Sequence, residues 1–286
     1  MSRAGAALAL ALALALALAV AACGVAPRPP APARAPAEVV DEGGRDLFRA
    51  AGVDGAFVLL DLAAGRLTVV NPALAGAGFR PCSTFKVPNT LIGLATGVIP
   101  DERFALRWDG APRRVADWNR DHDLASAMRA SVVWFYQEIA RRIGAARMQR
   151  FVDRFAYGNR DLGGGHDRFW LDGALRISPR QQVEFLRRLR QGALPVAPAH
   201  AALVQRLITR EERPGAILRG KTGLGFQDER AIGWLVGFVE RGPATYVYAT
   251  LVLAPQAEVD RLMPLRERLT RQLLARYGAW TDAPTR

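Results

Sequence analysis

Lysine is almost missing from this chain. Of 39 basic residues only Lys86 and Lys221 are lysines, and the other 37 are arginines. Arginine is effectively never deprotonated in a protein, whereas a buried lysine can become a neutral amine, and so a base or a nucleophile. Wherever a generic cation would serve, this sequence uses arginine, so its two lysines are candidates for chemistry. Serine is also scarce. One of its five copies, Ser83, stands three residues before a lysine in Ser83-Thr84-Phe85-Lys86, and the second lysine opens Lys221-Thr222-Gly223.

Other shortages remove whole classes of function. The two cysteines are Cys23 and Cys82. If Cys23 is processed or modified, Cys82 has no partner and no intramolecular disulfide is expected. His122, His166 and His200 sit in dissimilar contexts without ligand spacing, so no metal site is expected. The G-x-S-x-G of a hydrolase nucleophile elbow is absent. Gly163-Gly164-Gly165 lacks the Lys-Ser/Thr that would make it a phosphate cradle.

Long apolar runs are confined to the start. Residues 1–23 read as an export signal, with Arg3 ahead of an uninterrupted apolar stretch over 6–22. They end in Val20-Ala21-Ala22-Cys23-Gly24, which resembles a bacterial lipobox. The expectation is a periplasmic protein, either free or held at the outer membrane by a lipid on Cys23, with no other membrane contact. Residues 24–40 open Pro/Ala/Arg-rich and read as a linker, which leaves 41–286 as the folded domain. The formal charge of +12 does not imply nucleic acid. The arginines are scattered and interleaved with acids, as in Asp153-Arg154 and Glu211-Glu212-Arg213, without a stripe of stacking aromatics. A mild attraction for anionic small molecules is the more useful consequence.

The pattern predicts a hairpin over 55–61 and 66–70, then helices over 82–94, 131–143, 145–155, 179–190 and 199–209. Strands return over 216–219, 231–239 and 245–253, and an amphipathic helix over 263–277 closes the chain. The fold class is α/β in the α+β sense: an antiparallel sheet flanked by terminal helices, with a helical lobe over about 81–212 inserted.

At i and i+3 of a helix, Ser83 and Lys86 share a face. The serine would lie at the positive helix end, where backbone N–H groups stabilise an oxyanion, and the lysine one turn deeper, where burial favours its neutral form. That is a nucleophile beside its base. In Lys221-Thr222-Gly223, Lys and Thr can donate to a carboxylate, and Gly removes a side chain that would block approach.

With these motifs the chain resembles the penicillin-recognising serine acyl transferases, and among them the class D (oxacillinase-type) β-lactamases. Beside S-x-x-K and K-T-G it carries Ser131-Val132-Val133 as the S-x-V motif and Tyr157-Gly158-Asn159 as Y-G-N. Residues 169–178 fit F-W-L-x-G-x-L-x-I-S at every fixed position, Trp234-Leu235-Val236-Gly237 fits W-x-x-G, and Pro264-Leu265-Arg266 carries the carboxylate-binding arginine. The resemblance implies a β-lactamase/transpeptidase-like fold and β-lactam small molecules as substrates. It also implies an acyl intermediate on Ser83 and, in place of a cofactor, a CO2-derived carbamate on Lys86 as general base. Trp170 would donate to that carbamate, and Phe85, Val133 and Leu171 would supply its apolar surroundings. Ser131 would relay a proton to the leaving nitrogen. The N–H groups of Ser83 and Leu224 would form the oxyanion hole, and Lys221, Thr222 and Arg266 would hold the substrate carboxylate beside Gly223. Tyr157 and Asn159 would shape the wall. The absence of glutamate between Glu138 and Glu184 disfavours a carboxylate base on a loop. A non-hydrolytic β-lactam sensor and a penicillin-binding peptidase remain as alternatives, and monomer and dimer are both open.

Overall fold

Apolar residues at every second position decide the architecture. The computed structural model describes residues 35–281, which leaves the expected signal, Cys23 and most of the expected linker outside the described residues. The hairpin strands are β2 (Asp54–Asp61) and β3 (Arg66–Val70), and the later ones are β7 (Ala216–Gln227), β8 (Arg230–Arg241) and β9 (Ala244–Pro255). Two edge strands escaped the sequence reading, β1 (Ala37–Val40) and β6 (Thr209–Arg213). Among the described residues they complete a seven-stranded sheet in the order β1-β3-β2-β9-β8-β7-β6. The linker expected to reach residue 40 therefore stops short of Ala37. Residues 37–40 pair in parallel with 66–69, and Arg180 holds Glu38 in a two-pronged ion pair.

Both faces of the sheet are covered. Ile232, Trp234, Val236 and Phe238 of β8, with Val247, Ala249 and Leu251 of β9, face the helical lobe. Their alternates Leu235, Val239, Tyr248 and Val252 face the other layer. The period of two thus buries two separate cores, one on each side. On the second face lie α1 (Arg45–Ala50) and, after the lobe, the terminal helix over Val259–Arg276. The lobe consists of α2 (Pro72–Gly76), α3 (Lys86–Ala95), α4 (Leu124–Ala130), α5 (Val133–Ile143), α6 (Ala145–Phe155), α7 (Pro179–Arg190) and α8 (Pro198–Leu207). The terminal helix is α9. In the lobe a two-stranded ribbon pairs β4 (Ala105–Leu106) with β5 (His122–Asp123). A capping box marks the start of α7, where Ser178 accepts from Gln181 N–H and Gln181 accepts in return, with Pro179 at the first helical position.

Strands β7 and β8 approach closely at Gly237. A Cβ there would stand 2.0 Å from the Arg219 carbonyl oxygen and 2.7 Å from Gly220 Cα, both backbone atoms in the sheet that carries Lys221. Gly237→Ala is expected to lower stability by about 3 kcal/mol or more, because rigid backbone rather than a side chain must yield. Urea unfolding measures this, and a loss below about 1 kcal/mol would contradict the packing.

The N-terminal segment is fastened to α9 by Asp41, which accepts from Arg276 and Tyr277. These bonds hold the Asp41 carboxyl down at about 2, below its ordinary 3.8. A depressed carboxyl stabilises the fold above its unfolded pKa, and the benefit disappears as pH falls from about 4 to about 2. The cluster is partly exposed, so solvent screening keeps its contribution small. Asp41→Asn is expected to flatten the acid limb of the stability profile in that window, and an unchanged limb would show that the pairing is thermodynamically silent.

Candidate active site

The turn bearing Ser83 is wedged between the lobe and β7. Residues Cys82–Phe85 form a 3-10 turn, and the α-helix begins at Lys86, later than the residue-82 start expected from sequence. Ser83 therefore lies on the turn leading into α3. Cys82 adopts φ 49°, a left-handed conformation that costs a non-glycine residue about 1–3 kcal/mol. Its N–H donates to the Trp170 carbonyl at 3.0 Å, which holds the turn in place. Gly223 and Gly225 of β7 lie against the same turn: a Cβ on Gly223 would meet the Pro81 carbonyl oxygen at 3.0 Å, and one on Gly225 would meet Cys82 Sγ at 2.5 Å. The missing side chain at Gly223, read from sequence as room for substrate, instead makes room for the nucleophile's turn. The consequence is positional, since Leu224 between the two glycines has its backbone beside Ser83.

Lys86 is fully buried, with Nζ 2.8 Å from Ser83 Oγ. Desolvation brings its amine down to about 7, and no carboxylate is among the groups acting on it. At neutral pH much of this lysine is thus a free amine touching a serine hydroxyl. Its Nζ stands over the ring of Tyr136, 5.3 Å from the centroid. Tyr136 was not among the site residues expected from sequence, where it is simply one apolar position of α5. Trp170 is also fully buried, its ring stacked on Phe85 at 5.4 Å, and its indole Nε1 has no hydrogen-bond partner among the described residues. An unpaired buried donor costs about 1–3 kcal/mol, so this one calls for an acceptor.

A second hydrogen-bonded pair lies across the cleft. Ser131 ends α4 in a left-handed conformation, φ 57°, rather than starting the next helix as expected, and α5 begins at Val133. That bend presents Oγ to Lys221, whose Nζ donates to it at 3.0 Å. The Lys221 Nζ also reaches the Thr222 carbonyl and hydroxyl, at 3.1 and 3.3 Å. Burial, with further depression from Lys86 and Arg266, holds the Lys221 amine well below its usual range. Arg266 comes from α9 on the far face of the sheet. Its stem crosses β8 at Gly233, and its Nη1 donates to the Gly223 carbonyl at 2.7 Å. Its Nε, like the Trp170 indole, is buried without a partner, and burial lowers its guanidinium to about 10.

The structure thus joins Ser83 with Lys86, Ser131 with Lys221, and Arg266 with Gly223. It does not put every expected residue at the surface of the cleft. Tyr157, expected in the wall, is fully buried and meets Phe85 edge-on at 5.6 Å, so it braces the nucleophile turn from behind. Asn159 is exposed and ties the segment after Trp170 to itself, donating to the Ala174 carbonyl and accepting from Arg176 N–H. Val133 and Leu171 are half-buried. Two polar partners were not foreseen: Gln182 of α7 donates to Thr84 Oγ1 at 2.8 Å, and that hydroxyl donates to the Pro81 carbonyl at 2.7 Å. Nothing in the local sequence signals them, since the two residues are 98 positions apart. Among the described residues no group of acidic, histidine or cysteine side chains could hold a metal ion.

Residues 61–273 match the model of the penicillin-binding protein transpeptidase domain. The β-lactamase OXA-5 of Pseudomonas aeruginosa is 39% identical over 234 residues, covering 81% of this chain and 86% of that protein. The β-lactamase OXA-48 of Klebsiella pneumoniae is 42% identical over 200 residues, 70% of this chain and 74% of that one. Among solved structures, the class D β-lactamase YbXI from Nostoc superposes with TM-score 0.79 at 37% identity, covering 84% of this chain and all of that one. The class D β-lactamase from Sebaldella termitidis superposes with TM-score 0.82 at 29% identity, covering 86% of this chain and 100% of that one. The chain belongs to the class D β-lactamases, a group of serine hydrolases with the transpeptidase-type fold.

Proposed function

We propose that the protein opens the amide of β-lactam antibiotics through an acyl-enzyme on Ser83 and so confers antibiotic resistance. The observation that carries this reading is the fully buried Lys86 amine, brought down to about 7, at 2.8 Å from the Ser83 hydroxyl. Ser83 Oγ adds to the lactam carbonyl as its proton passes to the base at Lys86. The N–H groups of Ser83 and Leu224 receive the oxyanion, consistent with β7 lying against the turn at Gly223 and Gly225. As the C–N bond breaks, the nitrogen takes a proton from Ser131, which is re-supplied through Lys221, 3.0 Å away, by the proton that Lys86 took from Ser83, so that Lys86 is again a free amine. Water then adds to the acyl carbonyl, with Lys86 again serving as the base, and Ser83 leaves with its proton restored.

The residues around Lys86 also fit a carbamate: a neutral, buried amine, apolar rings, and an unpaired Trp170 N–H. When present on Lys86 Nζ, such a group would supply an anionic base, held by Trp170. Thr222 and Lys221 form a hydrogen-bond-donating face, with the Arg266 charge behind it, suited to the substrate carboxylate. Residues 1–23 would export the chain, either freely into the periplasm or through a lipid on Cys23 to the outer membrane. A chromogenic β-lactam tests the central statement. Many turnovers per molecule are expected, whereas one equivalent of product and a stable acyl adduct would mean a sensor or a penicillin-binding peptidase.

A further inference from the structure

A cleft of about 550 Å³ opens from the active site on the side of Lys221 and Thr222. One wall is β7 at Gly220–Thr222 and another is α4 at Ala125, Met128 and Arg129, the helix whose end presents Ser131. These are the two elements that carry the Ser131–Lys221 pair, so the cleft lies on the side of the departing nitrogen. Its floor is apolar, with Met128, Leu203 and Ile208, while Arg129, Arg206 and Arg210 stand around the rim. The one acid lining it is Glu102, which pairs with Arg206 at 3.3 Å. Arg210 is paired outside the cleft, to Glu267 of α9. Arg129 forms no ion pair among the described residues. The lining therefore carries three guanidinium side chains against one carboxylate around an apolar floor.

We propose that this cleft is a subsite for substituents on the leaving-nitrogen side of the β-lactam, and that it selects those ending in an anionic group, carboxylate or sulfonate, on an apolar stem. This rests on the β-lactamase reading and adds a preference to it. The stem covers Met128 and Leu203, and the anionic tip meets Arg129 and Arg206, beyond the reach of the ring carboxylate held at Thr222. The field is local and solvent-exposed, so the preference appears in KM more than in kcat and weakens as salt rises.

The test compares two cephalosporin-type β-lactams that differ only in that substituent, one neutral and one carrying a carboxylate. The parent protein is expected to prefer the acidic analogue by about fivefold in kcat/KM, the scale of one exposed ion pair. Arg129→Glu should remove or invert the preference, changing KM for the acidic analogue more than for the neutral one. Glu102→Gln, which deletes the only lining acid, should enlarge the preference, an effect that general loosening of the fold would not produce. Equal kcat/KM for the two analogues in the parent, or a preference that survives Arg129→Glu, would overturn the subsite while leaving the β-lactamase reading intact. Turnover of neither analogue by protein that still turns over a penicillin would overturn the subsite alone, and failure with the penicillin as well would overturn both.

Discussion

Lys86→Met is expected to destroy turnover and stabilise the protein at the same time. Loss of a positioned general base costs a typical enzyme about 10²–10⁴-fold, and here the same base serves both halves of the reaction, so a fall of about 10³-fold or more in kcat is expected. Methionine keeps much of the lysine's volume over the Tyr136 ring while removing a buried amine that has no carboxylate partner. A gain of about 1–2 kcal/mol at neutral pH is in scale with relieving such a functional conflict. The pH dependence gives the sign independently. The Lys86 amine titrates at about 7 in the fold against 10.5 ordinarily, so the unfolded chain binds an extra proton between those values. Parent stability therefore rises with pH across that window, and the advantage of Lys86→Met is largest below about pH 7 and shrinks toward 10.5. Activity should fall as pH drops through about 7, because only the neutral amine is a base or reacts with CO2. Parallel thermal unfolding and chromogenic assays from pH 6 to 10 check both limbs. A variant that is both inactive and equally destabilised at every pH would contradict the neutral-amine account.

The second large effect is expected at Trp170. Trp170→Phe keeps a ring stacked on Phe85 and removes only the indole N–H, the buried donor that now lacks an acceptor. A hydrogen bond to a charged group is worth about 1.5–3 kcal/mol, so anion formation on Lys86 should weaken by roughly 10- to 150-fold. Activity without added bicarbonate should fall accordingly and recover as bicarbonate is raised. Trp170→Ala removes the ring as well, and its loss from the cluster of Phe85, Phe169 and Tyr157 should cost about 3–5 kcal/mol of stability. If Trp170→Phe matches the parent at every bicarbonate level, the indole N–H has no part in holding the base.

What was readable in the sequence divides along physical lines. Long periodic elements were plain. The helices over 145–155 and 179–190 lie where their apolar spacing put them, and the strands around Trp234 and Val247 show the alternation that buries both sheet faces. The edges were not. Ala37–Val40 follows a Pro-rich stretch and is exposed along its whole length, so only its pairing with β3 makes it a strand. In Thr209–Arg213 the sequence reading ended a helix at Thr209 and assigned nothing to the four charged residues that follow, and the segment is a strand because β7 offers it a free edge.

In the site, the lysine bias found both amines without any structural knowledge. Arg266 could be picked out only by its place after the other motifs, because nothing local separates it from the other arginines of α9. The left-handed bends at Cys82 and Ser131, the Gln182–Thr84 bond and the Tyr136 ring depend on contacts between distant segments, which no single stretch of sequence encodes. Gly223 shows a subtler failure. The residue type was read correctly as making room, but what it admits is the chain's own turn.

The central claim is that Lys86 acts as the base through its neutral, CO2-reactive amine. Carbon-13 NMR of the protein equilibrated with labelled bicarbonate addresses it most directly. The account predicts one carbamate resonance that is lost in Lys86→Met, weakened in Trp170→Phe, and lost below about pH 7 in step with activity. Full multi-turnover activity with no such resonance, or a resonance that survives Lys86→Met, would contradict it.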